Sequence, residues 1–189
     1  MGDAASIGQL VTDEMFFEKA AQQFKIPVSC VDLVFRSTVS LVMACLHKQL
    51  QTDIGKGLIY RTLEKQTLQG EGELRMDVER PISVELSITE GNRLFGILLP
   101  GKKSPIMTSV IHHSRLSYKQ VDQLVGLCAY CLFDRMASQL KQHHELASVL
   151  IPFKELSKVA PELDEKDYRS IGLHDNLSFF KTAPTYISI

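Results

Sequence analysis

This sequence has no excess of basic charge: 21 Lys and Arg stand against 22 Asp and Glu, giving a formal net charge of −1 and a pI near 6.6. Proteins that hold nucleic acid through its phosphates usually carry a basic excess, so no nucleic-acid partner is expected. The longest basic run, Lys102-Lys103 after Gly101, reads as a solvated turn. Also missing is an apolar run of the roughly 20 residues that a membrane helix needs. The two most apolar runs, Thr38 to Leu46 and Leu124 to Phe133, are too short and read as buried core helices, so no membrane span is expected. Met1 to Leu10 contains Asp3 and neither Lys nor Arg, so no Sec-type export signal is expected. Met1-Gly2-Asp3-Ala4-Ala5-Ser6 fits the loose form of an N-myristoylation signal, a pattern common by chance, and is read as an ordinary terminus.

Catalytic signatures are lacking as well. No Gly-x-Ser-x-Gly turn offers a serine nucleophile, and Gly101-Lys102-Lys103-Ser104 has no preceding glycine at the spacing of a phosphate-binding loop. Cysteine is sparse: Cys30, Cys45, Cys128 and Cys131 all sit among apolar residues, where cysteine behaves as a small buried hydrophobe. A reduced, cytoplasmic setting follows as the expectation. At 189 residues, with 44% hydrophobic and 23% charged residues, the chain can bury one sizeable core without disulfides or metals.

What is present is helical periodicity. Asp13, Glu14 and Glu18 open a first helix from Thr12 or Asp13 to Phe24, which Lys25-Ile26-Pro27 interrupts. Ser29-Cys30-Val31-Asp32 looks like a capping box, and Val31, Val34, Phe35, Thr38, Leu41, Val42 and Cys45 line one face of a long helix to about Leu50. A shorter helix is expected over 54–67. Residues 82–88 alternate apolar and polar, yet no partner strand of similar quality exists, so helix or extended chain is favoured over sheet. A short helix is expected from Asn92 to Leu99, another from about Pro105 to His113, and Ser117-Tyr118-Lys119-Gln120 opens a second long helix to about Gln142. Its stretch Leu124 to Phe133 is apolar all round, which suits the middle of a bundle.

The two long helices correspond at an offset of 90 residues: Ile26 with Leu116, Val31-Asp32 with Val121-Asp122, Val34 with Leu124, Val42 with Leu132. The expected fold is therefore all-α, a multihelical array formed by two helical repeats, about 14–67 and 92–150, with the two long helices packed together at the centre. Residues 1–150 form the duplicated domain. Residues 151–189 are expected to form an irregular C-terminal helical extension and tail packed on the same domain, with short amphipathic pieces at Phe153 to Val159, Leu163 to Ile171 and Leu177 to Phe180 and its last residues wrapping the surface or fraying. Truncating Val42 or Leu132 is expected to destabilise, and changing Lys48 or Lys141 to matter little.

The second repeat resembles a known family. Arg93-Leu94-Phe95-Gly96-Ile97-Leu98-Leu99, then Gly101-Lys102-Lys103-Ser104, then Ser114-Arg115-Leu116-Ser117 before an apolar helix, is similar to the YidB-like family of bacterial proteins, a domain of unknown function. The likeness extends loosely from Glu14 to Leu150; Arg115 and Pro100 stand where that family usually has glycine. It implies a duplicated multihelical fold and carries no catalytic motif.

Two constellations invite chemistry. Cys128-Ala129-Tyr130-Cys131 has redox and metal spacing, but lies about three turns inside its helix, away from the N-terminal dipole that makes such thiols acidic. His112-His113 and His143-His144 are adjacent pairs that point apart, whereas histidines sharing a metal on one helix need i, i+4 spacing; His47 and His174 are isolated. The leading expectation is a non-catalytic interaction or scaffolding module, with a protein partner or self-association and no cofactor, metal or small-molecule substrate. The rival is a metal-binding or redox protein using Cys128, Cys131 and the histidine pairs.

Overall fold

The computed structural model describes residues 14–69 and 84–174. The myristoylation-like pattern, the alternating residues 82–83 and the expected Leu177 to Phe180 piece lie outside them. Every regular element described is helical: α1 (Glu14–Phe24), α2 (Val28–Gln49), α3 (Asp53–Gln69), α4 (Val84–Leu98), α5 (Lys103–Ser114), α6 (Tyr118–His143), 3-10 turns at Leu146–Val149 and Phe153–Glu155, then α7 (Leu156–Val159) and α8 (Glu165–Ser170). The all-α multihelical expectation holds.

Ser117 caps α6 as expected, its hydroxyl accepting from the Gln120 amide while Gln120 Oε1 accepts from the Ser117 amide at 3.1 Å. The box expected at Ser29 does not form. Pro27 is the N-cap of α2, and its carbonyl takes the amides of Cys30 and Val31 at 3.0 and 3.3 Å, so Ser29 already lies inside the first turn. The expected short helix from Asn92 is also corrected: α4 starts at Val84 and includes residues 84–88 of the alternating stretch. Ser87, Gly91, Leu94, Phe95 and Leu98 are its buried residues. Spacings of three and four put them on one helical face, which outweighs a short alternation with no strand to pair with.

α6 is the axis of the molecule. Residues 124–133 are buried without interruption, because α2, α3, α4, α5 and the turn at Leu146–Val149 all pack around this helix. α2 is the second axis, with residues 37–46 all buried beneath α1, α5, α6 and α7. Phe35 receives Phe16 and Phe17 edge-on, each at a ring distance of 5.4 Å, which seats α1. Among the described helices α2 alone is long and apolar enough to cross a membrane, yet 67% of its most apolar window is buried inside the protein. Its apolar surface is used by the core.

α2 and α6 contact each other, and the turns that lead into them match. Lys25 (φ 53°) and Arg115 (φ 57°) are both left-handed, 90 positions apart, and each precedes the next helix by three residues. Cys128 Sγ donates to the Phe35 carbonyl at 3.8 Å, close to Thr38, the counterpart of Cys128 at that offset.

Up to residue 174 the C-terminal extension is packed on the helices. Ile151, Leu156, Ala160, Leu163, Tyr168 and Ile171 are buried, and polar side chains of α2 and α5 bind this segment. Ser40 Oγ donates to the Leu156 carbonyl at 2.9 Å, so the Tyr168 hydroxyl, 2.7 Å away, must be the donor to Ser40. Ser37 Oγ donates to Glu162 at 3.0 Å. His113 Nε2 lies 2.9 Å from Asp167 Oδ2, the carboxylate that also accepts the Asp164 amide in the capping box of α8. Lys48 Nζ donates to the Gly172 carbonyl and Lys102 Nζ to that of Ile171. Removing the Ser40 hydroxyl takes one hydrogen bond from the buried Tyr168 hydroxyl and one from the Leu156 carbonyl, which keeps the Ala160 amide at 3.2 Å. Ser40→Ala should cost about 1–3 kcal/mol, and the midpoint of urea unfolding will measure it; an unchanged midpoint would show that the Ser40 hydrogen bonds do not help to hold the extension.

Candidate functional site

The residues with potential chemistry do not converge. Cys128 and Cys131 are buried, and none of the four cysteines forms a disulfide. Burial pushes the Cys128 thiol well above its usual pKa, with neighbouring Cys131 adding to the shift. Burial likewise pushes Cys131 up to about 12, reinforced by the charge of Asp134. Reactive thiols need the opposite surroundings, electropositive and accessible. Labelling of native protein by a thiol reagent should thus leave Cys128 and Cys131 slow and accelerate on unfolding; rapid modification of either in the native state would restore the redox reading.

The histidines are dispersed. His112 is exposed and His113 reaches Asp167; their rings stand edge to face at 5.2 Å, neighbours rather than splayed as expected. His144 is the exposed, left-handed C-cap of α6 (φ 58°), following His143. His47 Nε2 lies 2.7 Å from the Ile151 carbonyl, and His174 is exposed. Among the described residues no group of three or more His, Cys, Asp or Glu side chains is placed to hold a metal ion.

A different feature is concave. α3 and α4 both rest on α6, and between them runs a groove of about 410 Å³ lined by Leu58, Arg61, Thr62, Lys65, Gln66, Arg93 and Ile97. Its shape follows from how the two helices are held. Gln49, at the end of α2, donates through Nε2 to the Leu98 carbonyl at 2.6 Å, which brings the start of α3 beside the end of α4. Ile59 and Leu63 turn α3 into the core while Leu58, Arg61 and Lys65 face away. α4 is seated more closely. A Cβ added to Gly91 would lie 1.9 Å from the Gly126 carbonyl oxygen, so the two backbones touch where each lacks a side chain.

The lining combines two apolar residues, Leu58 and Ile97, with three cations, Arg61, Lys65 and Arg93. Ile97 is 38% exposed, and Ile54, one turn before Leu58 on the same face of α3, is 85% exposed. Arg93 makes two hydrogen bonds to Glu90, at 2.7 and 2.6 Å, which raise its pKa and keep it charged. Arg61 Nε donates to the Gly57 carbonyl at 3.0 Å, and Arg61 and Lys65 are both exposed. Sequence reading missed this groove, although Ile54, Leu58, Arg61 and Lys65 fall at i, i+4, i+7 and i+11 and could have been read as a stripe turned away from the core. No protein-family model, curated protein or solved structure matches the chain.

Proposed function

We propose that this protein is a non-catalytic helical interaction module that docks a protein partner in the groove between α3 and α4. One observation carries the reading: Leu58 and Ile97 line a concave surface, Ile97 38% exposed, built on helices anchored to the central α6. Large apolar side chains gathered in a groove are the usual mark of a binding surface. The rival reading, metal binding or redox chemistry by Cys128, Cys131 and the histidine pairs, has the burial of both thiols and the spread of the histidines against it.

The same proposal treats the two helix pairs, α1–α2 and α5–α6, as copies of one unit, supported by the matching left-handed residues at 25 and 115 and by the contact of α2 with α6. Kinship with the YidB-like family belongs here too. The residues that carry the likeness, Arg93 to Ser104 and Ser114 to Ser117, span the end of α4, the turn into α5 and the turn into α6. A cytoplasmic setting is supported by four cysteines without a disulfide.

Site-directed photo-crosslinking in cells tests the module reading. A photoreactive phenylalanine analogue at Ile97 should give a discrete protein adduct, and the same group at Lys166, exposed on α8, should not. Adducts of equal yield from both positions, or from neither, would defeat it.

A further inference from the structure

The charge and shape of the groove define its occupant, an inference that rests on the module reading above. Leu58 and Ile97 form an apolar stretch, and Arg61, Lys65 and Arg93 supply three cations beside it. Only Arg93 has a carboxylate partner there among the described contacts, Glu90. We propose that the groove holds an amphipathic helix of a partner protein that carries Asp or Glu alongside its apolar stripe.

An apolar helix face would cover Leu58 and Ile97, while acidic side chains at its margins would meet Arg61 and Lys65, whose aliphatic stems extend the apolar wall. The α3 wall from Leu58 to Gln66 runs about 12 Å at 1.5 Å per residue, enough to seat about two turns of a partner helix. A second copy of this chain fits less well. A two-fold contact brings the same patch against itself, so Arg61, Lys65 and Arg93 would face their own kind at a cost in repulsion. A free phosphate would satisfy the cations and leave Ile97 and Leu58 in water.

The test is selection from a displayed library of random peptides of about 16 residues, long enough for about four helical turns, with the full chain as bait. Enriched peptides are expected to pair Leu, Ile or Phe at helical spacing with Asp or Glu. They should lose about tenfold or more in affinity for Ile97→Asp and for the double variant Arg61→Glu, Lys65→Glu, as expected when central contacts are removed. Binding to the unaltered chain should weaken as salt is raised, and that readout decides the matter if a variant fails to keep its helical circular dichroism. Enriched peptides without acidic residues, equal binding to the variants, salt-independent binding or no enrichment would each overturn the proposal. Sedimentation as a dimer that Ile97→Asp dissolves would assign the groove to a second copy, overturning the acidic-helix occupant and leaving the module reading intact. Loss of the Ile97 cross-link in cells would instead remove the module reading itself.

Discussion

Gly91→Ala should destabilise the protein by about 3 kcal/mol or more, at or beyond the upper end of what overpacking usually costs. The added Cβ would sit 1.9 Å from the Gly126 carbonyl oxygen and 2.8 Å from the Tyr130 amide nitrogen, both backbone atoms of α6. No rotamer change relieves a clash with backbone, so α4 must lift off α6 and loosen Leu94, Phe95 and Leu98, all fully buried along that seam. Gly126→Ala should destabilise less, because an added Cβ meets the Asn92 side chain at 2.8 Å, which can turn away, and the Ile88 carbonyl oxygen at 3.0 Å, a milder backbone contact than the 1.9 Å at Gly91. Gly96 is the control: it lies in α4 with nothing within 4 Å of an added Cβ, and Gly96→Ala should gain about 0.5–1 kcal/mol from the better helix propensity of alanine. Urea denaturation of the three variants gives the order directly. Gly91→Ala as stable as the parent would mean that α4 and α6 are not in backbone contact.

Leu132→Ala carries the other large effect, a loss of about 2–5 kcal/mol depending on how far the cavity collapses. Leu132 is 0% exposed, in a helix enclosed by four others and a 3-10 turn, so little of its surroundings can move inward. Val42→Ala on α2, also 0% exposed, removes fewer atoms and should cost less. Lys141 is exposed at the end of α6, and Lys141→Ala should stay within about 0.5 kcal/mol of the parent. Thermal unfolding of the set checks this, and a Leu132→Ala protein as stable as Lys141→Ala would remove α6 from the centre of the core.

The proposed site was the least legible part of the sequence. Cys128, Cys131 and the histidine pairs attract attention because their chemistry is visible residue by residue, and folding then buries the thiols and distributes the histidines to Asp167, a backbone carbonyl and the surface. Arg61, Lys65, Arg93 and Ile97 are unremarkable singly. They become a groove only when α3 and α4 settle side by side on α6, and that placement depends on Gln49 reaching Leu98 and on two glycines meeting across a seam.

By itself the sequence determined most of the helices, though not the start of α4, because helical periodicity, the Ser117 cap and the Lys25-Ile26-Pro27 break act through backbone geometry within a few residues. It also determined that Leu124 to Phe133 would be enclosed, since an apolar surface on every side of a helix leaves no face for water. Tertiary structure alone decided what the polar residues of α2 would meet: Ser37 and Ser40 find Glu162, Leu156 and Tyr168 more than 100 residues along the chain. It alone decided that Gly91 and Gly126 would touch and that Ile54 and Ile97 would be left outside. Those outcomes depend on the relative position of whole helices, which is set by the sum of all their contacts and is encoded in no short stretch of residues.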